Sequence, residues 1–489
     1  MEYTALVSDS RQAIPGCLFF CKGKQFKKEY LKAAAEKGAA AYVSETDYHL
    51  SIPCILVPDI RAAMAEYSKE FYGDPSASLR LAGLTGTKGK STTLYFLKSI
   101  MERSSLCGEG RFGYLSSIDD YDGMSTVESH LTTPEAIELN TMLSNMVKSG
   151  IVFAGMEVSS QALKYDRSLG LRFEAGCFTN FSEDHIGPDE HSDIEDYFSS
   201  KLKLIDQCEK FILNLNSDRS EEVLDACMRS KDEGKLKKLI CFHIDYPLEE
   251  SLGEELFSKA SACADECLRV CDICKKDGLT YFNIQGVGEA SISMPGIFNI
   301  ENASLAAIFA KEYGASFEEI KEGLLCAKAA GRMETFRSDK RDITVIVDFA
   351  HNEFAFNNIF ESVRQEYPGY TVYAVFGCPG NKAPERRVGM PRSAAKYADY
   401  AYITEDDPFR EDPEDICKEV YENLKSFGGK GEIVVNREEA IRKAVKSAPE
   451  KSVILLLAKG RDTFMHRREF DPYISDPILA ERLLKEIDD

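Results

Sequence analysis

Leu81-Ala82-Gly83-Leu84-Thr85-Gly86-Thr87-Lys88-Gly89-Lys90-Ser91-Thr92-Thr93 reads as a short apolar strand, a glycine-rich turn and the first residues of a helix. The glycines let backbone N–H groups close around a phosphate, and the helix start adds partial positive charge. Lys90 can reach the β- and γ-phosphates of a nucleotide, and Ser91 can ligate Mg2+. The general phosphate-loop pattern asks for glycine where Leu84 stands, so the match fails by one position. A purely structural glycine turn is the competing reading. Gly86, Thr87, Lys88, Gly89, Lys90, Ser91 and Thr92 form the candidate nucleotide-binding set.

Other groups follow expected strand ends. Val152 to Val158 reads as a strand with Glu157 near its C-terminal end, and Ala175 to Thr179 as another, followed by Asn180-Phe181-Ser182-Glu183-Asp184-His185. In an open α/β sheet such ends face the ligand crevice. With Ser91, Glu157 and His185 are groups that Mg2+ beside a triphosphate would use; a surface or capping carboxylate and a structural histidine are the alternatives. Lys201 lies on a helix patterned by Leu202, Leu204 and Ile205, where spacing alone favours a snorkelling surface lysine and makes Lys203 equally eligible. Glu135 to Lys148 reads as a helix after Thr132-Thr133-Pro134, with a threonine cap and proline in the first turn. Asn299 and Asn302 are base contacts or helix-start residues. Asp348, Ala350 and His351 close an expected strand at a crevice position. Gly377-Cys378-Pro379-Gly380-Asn381-Lys382, with Arg386-Arg387, reads as a strand-to-loop turn whose basic cluster suits an anion or forms a solvated patch.

The chain has 489 residues, too long for one ordinary core, and its length suggests about three domains. A composition 44% hydrophobic and 29% charged describes a globular protein, and a net charge of -21 argues against nonspecific binding to nucleic acid or anionic membrane. With no basic-plus-apolar leader and no 18-residue apolar run, the expected home is the cytoplasm. The 15 cysteines are then expected as reduced thiols. Cys263, Cys267, Cys271 and Cys274 could hold zinc, although a buried helical cysteine stripe is favoured. The periodicity gives a small α/β unit over residues 1–79, ended by Phe71-Tyr72-Gly73-Asp74-Pro75-Ser76, then a domain opening with the phosphate loop. A parallel-sheet domain begins near Thr335, and the interval 217–290 is expected as a peripheral part of the second domain.

Together these residues resemble the Mur ligase family, specifically its UDP-N-acetylmuramoyl-tripeptide synthetase type, over nearly the whole chain. Asp9-Ser10-Arg11 with Pro15-Gly16-Cys17-Leu18-Phe19 is similar to its uridine-nucleotide domain, Gly86 to Thr92 to its ATP loop, and Thr132-Thr133-Pro134-Glu135 to its substrate-contacting loop. Met156-Glu157-Val158-Ser159-Ser160 and Asn180 to His185 resemble the stretches bearing the magnesium glutamate and the histidine, and Gly331-Arg332-Met333-Glu334 the hinge into the third domain. The resemblance implies an α/β, three-domain architecture: 1–79 uridine-nucleotide domain, 80–332 central P-loop ATPase-like domain, 333–489 C-terminal Rossmann-like domain. It implies that Lys201 is carbamylated and helps hold a second Mg2+. It further implies that Asn299 and Asn302 lie on the adenine side, that Arg332, Asp348 and His351 meet the nucleotide on closure, and that Lys382 and Arg386 lie near the phosphates or the amino acid. Ser10, Thr132, Thr133 and Ser159 fall to the UDP-linked substrate.

The implied chemistry belongs to peptidoglycan synthesis. The terminal carboxylate of UDP-MurNAc-L-Ala-D-Glu attacks ATP, and the resulting acyl phosphate is captured by the amine of a third amino acid, with Lys90, Lys201, Glu157 and His185 as catalytic residues. Closure excludes water, and such a ligase can function as a monomer. Members that add meso-diaminopimelate carry Asp-Asn-Pro-Arg, whereas Asp406-Asp407-Pro408-Phe409 lacks that arginine. Asp406, Asp407 or Asp462 could receive a distal ammonium, so L-lysine leads; Arg410, shifted by one residue, keeps diaminopimelate open. The long Asp184-to-His191 segment and Ala458-Lys459-Gly460-Arg461-Asp462 depart from the common pattern and admit another amino acid or acyl carrier. A folylpolyglutamate synthetase-like ligase and a non-enzymatic ATP-binding protein are the rival classes.

Overall fold

The computed structural model describes residues 3–23, 26–182, 191–246, 254–329, 331–381, 383–468 and 470–489. They divide into two compact units: residues 1–271 with 283–289 and 304–323, and residues 272–282 with 290–303 and 324–489.

The first strands, β1 (Leu6–Val7), β2 (Leu18–Phe20), β3 (Ala41–Ser44) and β4 (Cys54–Leu56), pair in parallel in that order. Parallel neighbours need crossovers, and helices Lys28–Glu36 and Ile60–Phe71 supply two of the covering elements. Asp59 caps the second by accepting from the N–H groups of Arg61 and Ala62.

The central sheet contains β5 (Arg80–Thr85), β6 (Phe112–Leu115), β7 (Asp119–Tyr121), β8 (Thr126–Glu128), β9 (Phe153–Glu157), β10 (Phe173–Phe178), β11 (Cys208–Asn214), β12 (Lys238–Ile244), β13 (Glu266–Lys276), β14 (Leu279–Ile284) and β15 (Gly288–Ile292). Their order is β15-β14-β13-β12-β11-β10-β5-β9-β6-β7-β8. β5 is paired in parallel with β9 and β10, and Leu84 is in register with both Glu157 and Cys177. The turn leaving β5 therefore emerges between the carboxyl ends of two neighbours, the position at which such sheets bind ligands. Every residue of β9 is buried, as a strand covered on both faces requires.

A further sheet, β16 (Glu334–Arg337), β17 (Ile343–Asp348), β18 (Thr371–Phe376), β19 (Tyr400–Ile403), β20 (Gly431–Ile433) and β21 (Ser452–Leu457), has the order β16-β17-β21-β18-β19-β20. Only β16 runs antiparallel, at one edge. The short β22 (Phe464–His466) and β23 (Phe470–Pro472) form a hairpin ladder.

Four local expectations change. Residues 217–290 contribute β12 and β13, which extend the central ladder from β11, so they are not merely peripheral. Cys267, Cys271 and Cys274 lie on β13, with Cys263 ending helix Glu254–Cys263, so no helical cysteine stripe exists; among the described residues no group of three or more His, Cys, Asp or Glu is placed to hold a metal ion. Arg386 starts a helix, Arg386–Tyr397, where the basic cluster suggested a loop. Helix Ala136–Lys148 starts without a threonine cap, because the Thr133 hydroxyl is turned onto the Glu157 carbonyl, 2.9 Å away.

Candidate functional site

The turn after β5 is shaped by two glycines in the left-handed region, Gly86 at φ +143° and Gly89 at φ +84°. A Cβ on Gly86 would stand 1.9 Å from Thr179 Oγ1, so only glycine fits. The segment leaving β10 buttresses the turn. The Asn180 carbonyl accepts from Thr87 N–H at 2.9 Å, its side-chain oxygen from Lys88 N–H at 2.9 Å, and Thr179 Oγ1 donates to the Lys88 carbonyl at 2.6 Å. Thr179 and Asn180 are positioning residues that the sequence reading had not separated from the histidine-bearing stretch.

Two lysines meet at this turn. Lys90 Nζ donates to the carbonyls of Gly86 (3.0 Å) and Thr87 (3.1 Å), and Lys201 Nζ donates to the same Gly86 carbonyl at 2.7 Å. Lys201 is only 2% exposed, which overturns the surface reading of its helix pattern. It is covered by the ring of Tyr197, 4.3 Å below Nζ, whose hydroxyl donates to Thr87 Oγ1 at 3.2 Å. Lys203, eligible on spacing, is exposed and donates to the Leu163 carbonyl.

Ser91 and Glu157 are joined through Ser117. The Ser91 and Ser117 hydroxyls are 3.0 Å apart, and Ser117 N–H donates to Glu157 Oε1 at 2.8 Å. The buried Glu157 is thus no surface carboxylate, and the hydroxyl and carboxylate oxygens suit a hard cation. Ser117 carried no signal in a Ser-Ser turn of short strands. Thr133 and Ser159 are joined by hydrogen bonds of 3.0 and 3.3 Å, Thr132 is half-buried beside them, and Arg167 secures the same loop by donating to the Thr133 carbonyl and pairing with Glu135 at 3.0 Å. Ser10 sits in a turn held by Lys37, which donates to its carbonyl at 2.9 Å. His185 lies outside the described residues. The described His191 is buried, with Nε2 3.0 Å from Ser160 Oγ and Nδ1 3.4 Å from Asp196; burial holds its imidazole below the usual value.

In the second unit, Asn299 and Asn302 are buried near the start of helix Phe298–Tyr313, Asn302 Nδ2 donating to Asn299 Oδ1 at 3.0 Å. Asp348 accepts from the N–H groups of Met333 and Ala350, both at 2.7 Å, tying Arg332's neighbour to the end of β17. Arg332 stacks on Phe349, and His351 Nδ1 lies 2.7 Å from the Phe349 carbonyl. Lys382 lies outside the described residues. Arg386 is half-buried, whereas the adjacent Arg387 is committed to Glu411 and Glu419 and no longer belongs to an anion-binding cluster.

Asp406, Asp407 and Asp462, expected as open carboxylates, differ from their sequence picture. Lys459, 1% exposed, places Nζ 2.8 Å from Asp407 and 3.1 Å from Asp462, so these two carboxylates already share an ammonium. Asp407 also accepts from His466 N–H at 2.9 Å; against burial, Lys459 holds its carboxyl below the usual value. Asp406 is 8% exposed, and burial pushes its carboxyl up to about 6. Phe409 packs its ring 5.3 Å from His466, while Arg410 is exposed.

A strand-to-helix glycine turn holding two lysines beside a buried carboxylate is an arrangement suited to a nucleotide's phosphates. Residues 84–310 match the Mur ligase middle domain, and residues 331–460 the Mur ligase glutamate ligase domain. A UDP-N-acetylmuramyl-tripeptide synthetase of Lactobacillus delbrueckii subsp. bulgaricus is 35% identical, over 99% of this chain and 94% of that protein. A UDP-N-acetylmuramoyl-L-alanyl-D-glutamate--L-lysine ligase of Streptococcus suis is 36% identical, over 95% of this chain and 89% of its own. Among solved structures, a UDP-N-acetylmuramoyl-L-alanyl-D-glutamate--2,6-diaminopimelate ligase shares the fold with TM-score 0.65 at 22% identity, covering 100% of this chain and 96% of that one. A folylpolyglutamate synthase of Mycobacterium tuberculosis matches at TM-score 0.59 and 15% identity, over 81% of this chain and 92% of that one. The chain belongs to the Mur ligase family, and it is an ATP-dependent amide ligase. Among the described residues no helix is long and apolar enough to cross a membrane.

Proposed function

We propose that this ligase joins a diamino acid, L-lysine first, to the terminal carboxylate of UDP-N-acetylmuramoyl-L-alanyl-D-glutamate, cleaving ATP to ADP and phosphate in the cytoplasm. The names of the relatives support the substrate. The observation that carries the chemistry is the meeting of Lys90 and Lys201 on one loop carbonyl, beside the Ser91–Ser117–Glu157 link.

On this reading the substrate carboxylate displaces ADP from the γ-phosphorus, forming an acyl phosphate. The unprotonated amine then attacks the carbonyl carbon, the tetrahedral intermediate expels phosphate, and the amine proton passes to solvent. Lys90 leaves the Gly86 carbonyl for the phosphate oxygens and compensates charge as the P–O bond breaks. Magnesium, held by Ser91 and Glu157 with His185 and a carbamylated Lys201 as further donors, supplies Lewis-acid stabilisation when bound. Thr132, Thr133, Ser159 and Ser10 hold the UDP-linked substrate. Asn299, Asn302, Arg332, Asp348 and His351 serve the nucleotide, and Lys382 and Arg386 the phosphates or the amino acid. Residues 1–79, 80–332 and 333–489 carry the uridine-nucleotide, ATP and amino-acid roles within a working monomer.

The acceptor assignment rests on Asp406, a nearly buried carboxylate, and on Phe409, which offers no charge to a distal carboxylate. Phosphate release with the UDP-dipeptide substrate, measured across L-lysine, meso-diaminopimelate, L-ornithine and neutral amino acids, tests it. L-lysine is expected to support the fastest turnover. Turnover with diaminopimelate alone overturns the acceptor, and phosphate release independent of any amino acid overturns the ligase step.

A further inference from the structure

Thr87 stands inside the glycine turn with no hydrogen left for a phosphate. Its backbone N–H is given to the Asn180 carbonyl at 2.9 Å, and the residue is buried. A threonine hydroxyl has one hydrogen to donate and two lone pairs to receive. The Thr87 hydroxyl donates to the Ser182 carbonyl at 3.3 Å, and it accepts from the Ser182 N–H at 3.1 Å and from the Tyr197 hydroxyl at 3.2 Å. Its N–H, its O–H and both lone pairs of the hydroxyl are thereby committed. The partners come from two other segments: Ser182 follows β10, and Tyr197 lies on helix Ile194–Leu202, one turn before Lys201. The Tyr197 ring is 4.3 Å from Lys201 Nζ, and the 2.7 Å hydrogen bond from Lys201 to the Gly86 carbonyl returns to the turn.

We propose that Thr87, although it belongs to the expected nucleotide-binding set, is a positioning residue and not a nucleotide ligand: through the Tyr197 hydroxyl it sets the ring on which Lys201 rests, and so fixes Lys201 against the phosphate loop. This deepens the function proposed above and rests on the roles given there to the loop and to Lys201. A phosphate oxygen only accepts, so Thr87 could reach one only by giving up Asn180 or Ser182. The Lys88 N–H is also given to Asn180, which leaves the phosphates to the N–H groups from Gly89 onward, at the start of helix Lys90–Arg103. The circuit Gly86, Thr87, Tyr197, Lys201 closes on itself, so a shift of the loop or of the helix breaks a contact at the other. Misplacing a reacting group by about 1 Å can cost about a hundredfold in rate, so loss of the tie is read in kcat and not in nucleotide affinity.

Thr87→Val keeps the shape and removes the hydroxyl. Its kcat is expected to fall by about tenfold or more, while the dissociation constant of the β,γ-methylene analogue of ATP, measured by calorimetry with Mg2+, stays within about threefold of the native value. A merely structural role would lower the melting temperature without separating kcat from nucleotide affinity. Tyr197→Phe, which keeps the ring, is expected to lower kcat as well. The double variant is expected to lose no more than Thr87→Val alone, within about threefold, because both changes break one contact. Thr87→Ser, which restores the hydroxyl, is expected to bring kcat back to within about threefold of the native enzyme. Analogue binding weakened by about tenfold or more in Thr87→Val, an unchanged kcat, or losses that multiply in the double variant overturns the proposal. If the native enzyme supports no ATP-dependent ligation, the proposed function fails instead. The analogue's affinity for Thr87→Val and the melting temperatures of the two single variants and the double variant then decide: weakened affinity or additive melting shifts overturn the positioning role, and retained affinity with nonadditive shifts supports it.

Discussion

Replacing Asp406 by asparagine should make the protein more stable and less able to hold its acceptor. Burial raises the Asp406 carboxyl from 3.8 to about 6, with Lys459 pulling the other way. That difference is worth about 3 kcal/mol between protonation states. The folded state holds this proton more tightly than the unfolded chain, so the stabilising contribution is full below pH 3.8 and is lost as pH rises through about 6. Above that pH the native protein carries an ionised, poorly solvated carboxylate. Asp406→Asn, never ionised, should therefore gain over the native protein by about 1.4 kcal/mol per pH unit across this window and level off near 3 kcal/mol above it. Urea unfolding of both proteins from pH 4 to 8, followed by amide exchange of the β19 residues Tyr400–Ile403, reads the difference. The same substitution should raise the KM for the acceptor at least tenfold, and the native enzyme's acceptor KM should climb as pH falls below about 6. A variant no more stable at pH 8, or a gain that grows as pH falls, would refute the reasoning.

Other outcomes follow from single contacts. Lys201→Ala should abolish turnover, and formate or acetate should partly restore it by supplying the missing carboxylate; no restoration together with an unmodified lysine in the native enzyme removes the carbamate assignment. Gly86→Ala should weaken nucleotide binding at least tenfold by calorimetry while leaving the circular dichroism spectrum unchanged, since its Cβ would displace Thr179 from the loop. Asp476→Ala should cost about 3–5 kcal/mol in urea titrations, because it strands Arg437, which is fully buried and paired at 2.6 Å. Asp476→Leu combined with Arg437→Met should recover most of that loss.

Much of this architecture is legible in the sequence where period and punctuation agree. The runs Thr371–Phe376 and Ser452–Leu457 are continuous apolar strands and form as read. The glycine turn is legible because few residues other than glycine adopt its backbone. Lys201 was not legible from spacing: its helix face is apolar either way, and its burial depends on a carbonyl 115 positions earlier in the chain. Ser117 was invisible for a similar reason, since its partners at 91 and 157 come from other strands and helices. The cysteines misled because spacings of three and four suit a helix, while their strand is set by pairing with β12. Lys459 escaped notice because an acidic cluster reads as open until its internal counter-ion is placed.

The Gly86 carbonyl has a consequence for the speed and tightness of nucleotide capture. A lysine side chain carries about 2 kcal/mol of rotamer entropy, most of which a ligand must normally remove when it recruits the group. Lys90 is already fastened to the Gly86 and Thr87 carbonyls. Much of the ordering of Lys90 is therefore complete before a triphosphate arrives, and the ammonium need only exchange a carbonyl acceptor for a phosphate oxygen.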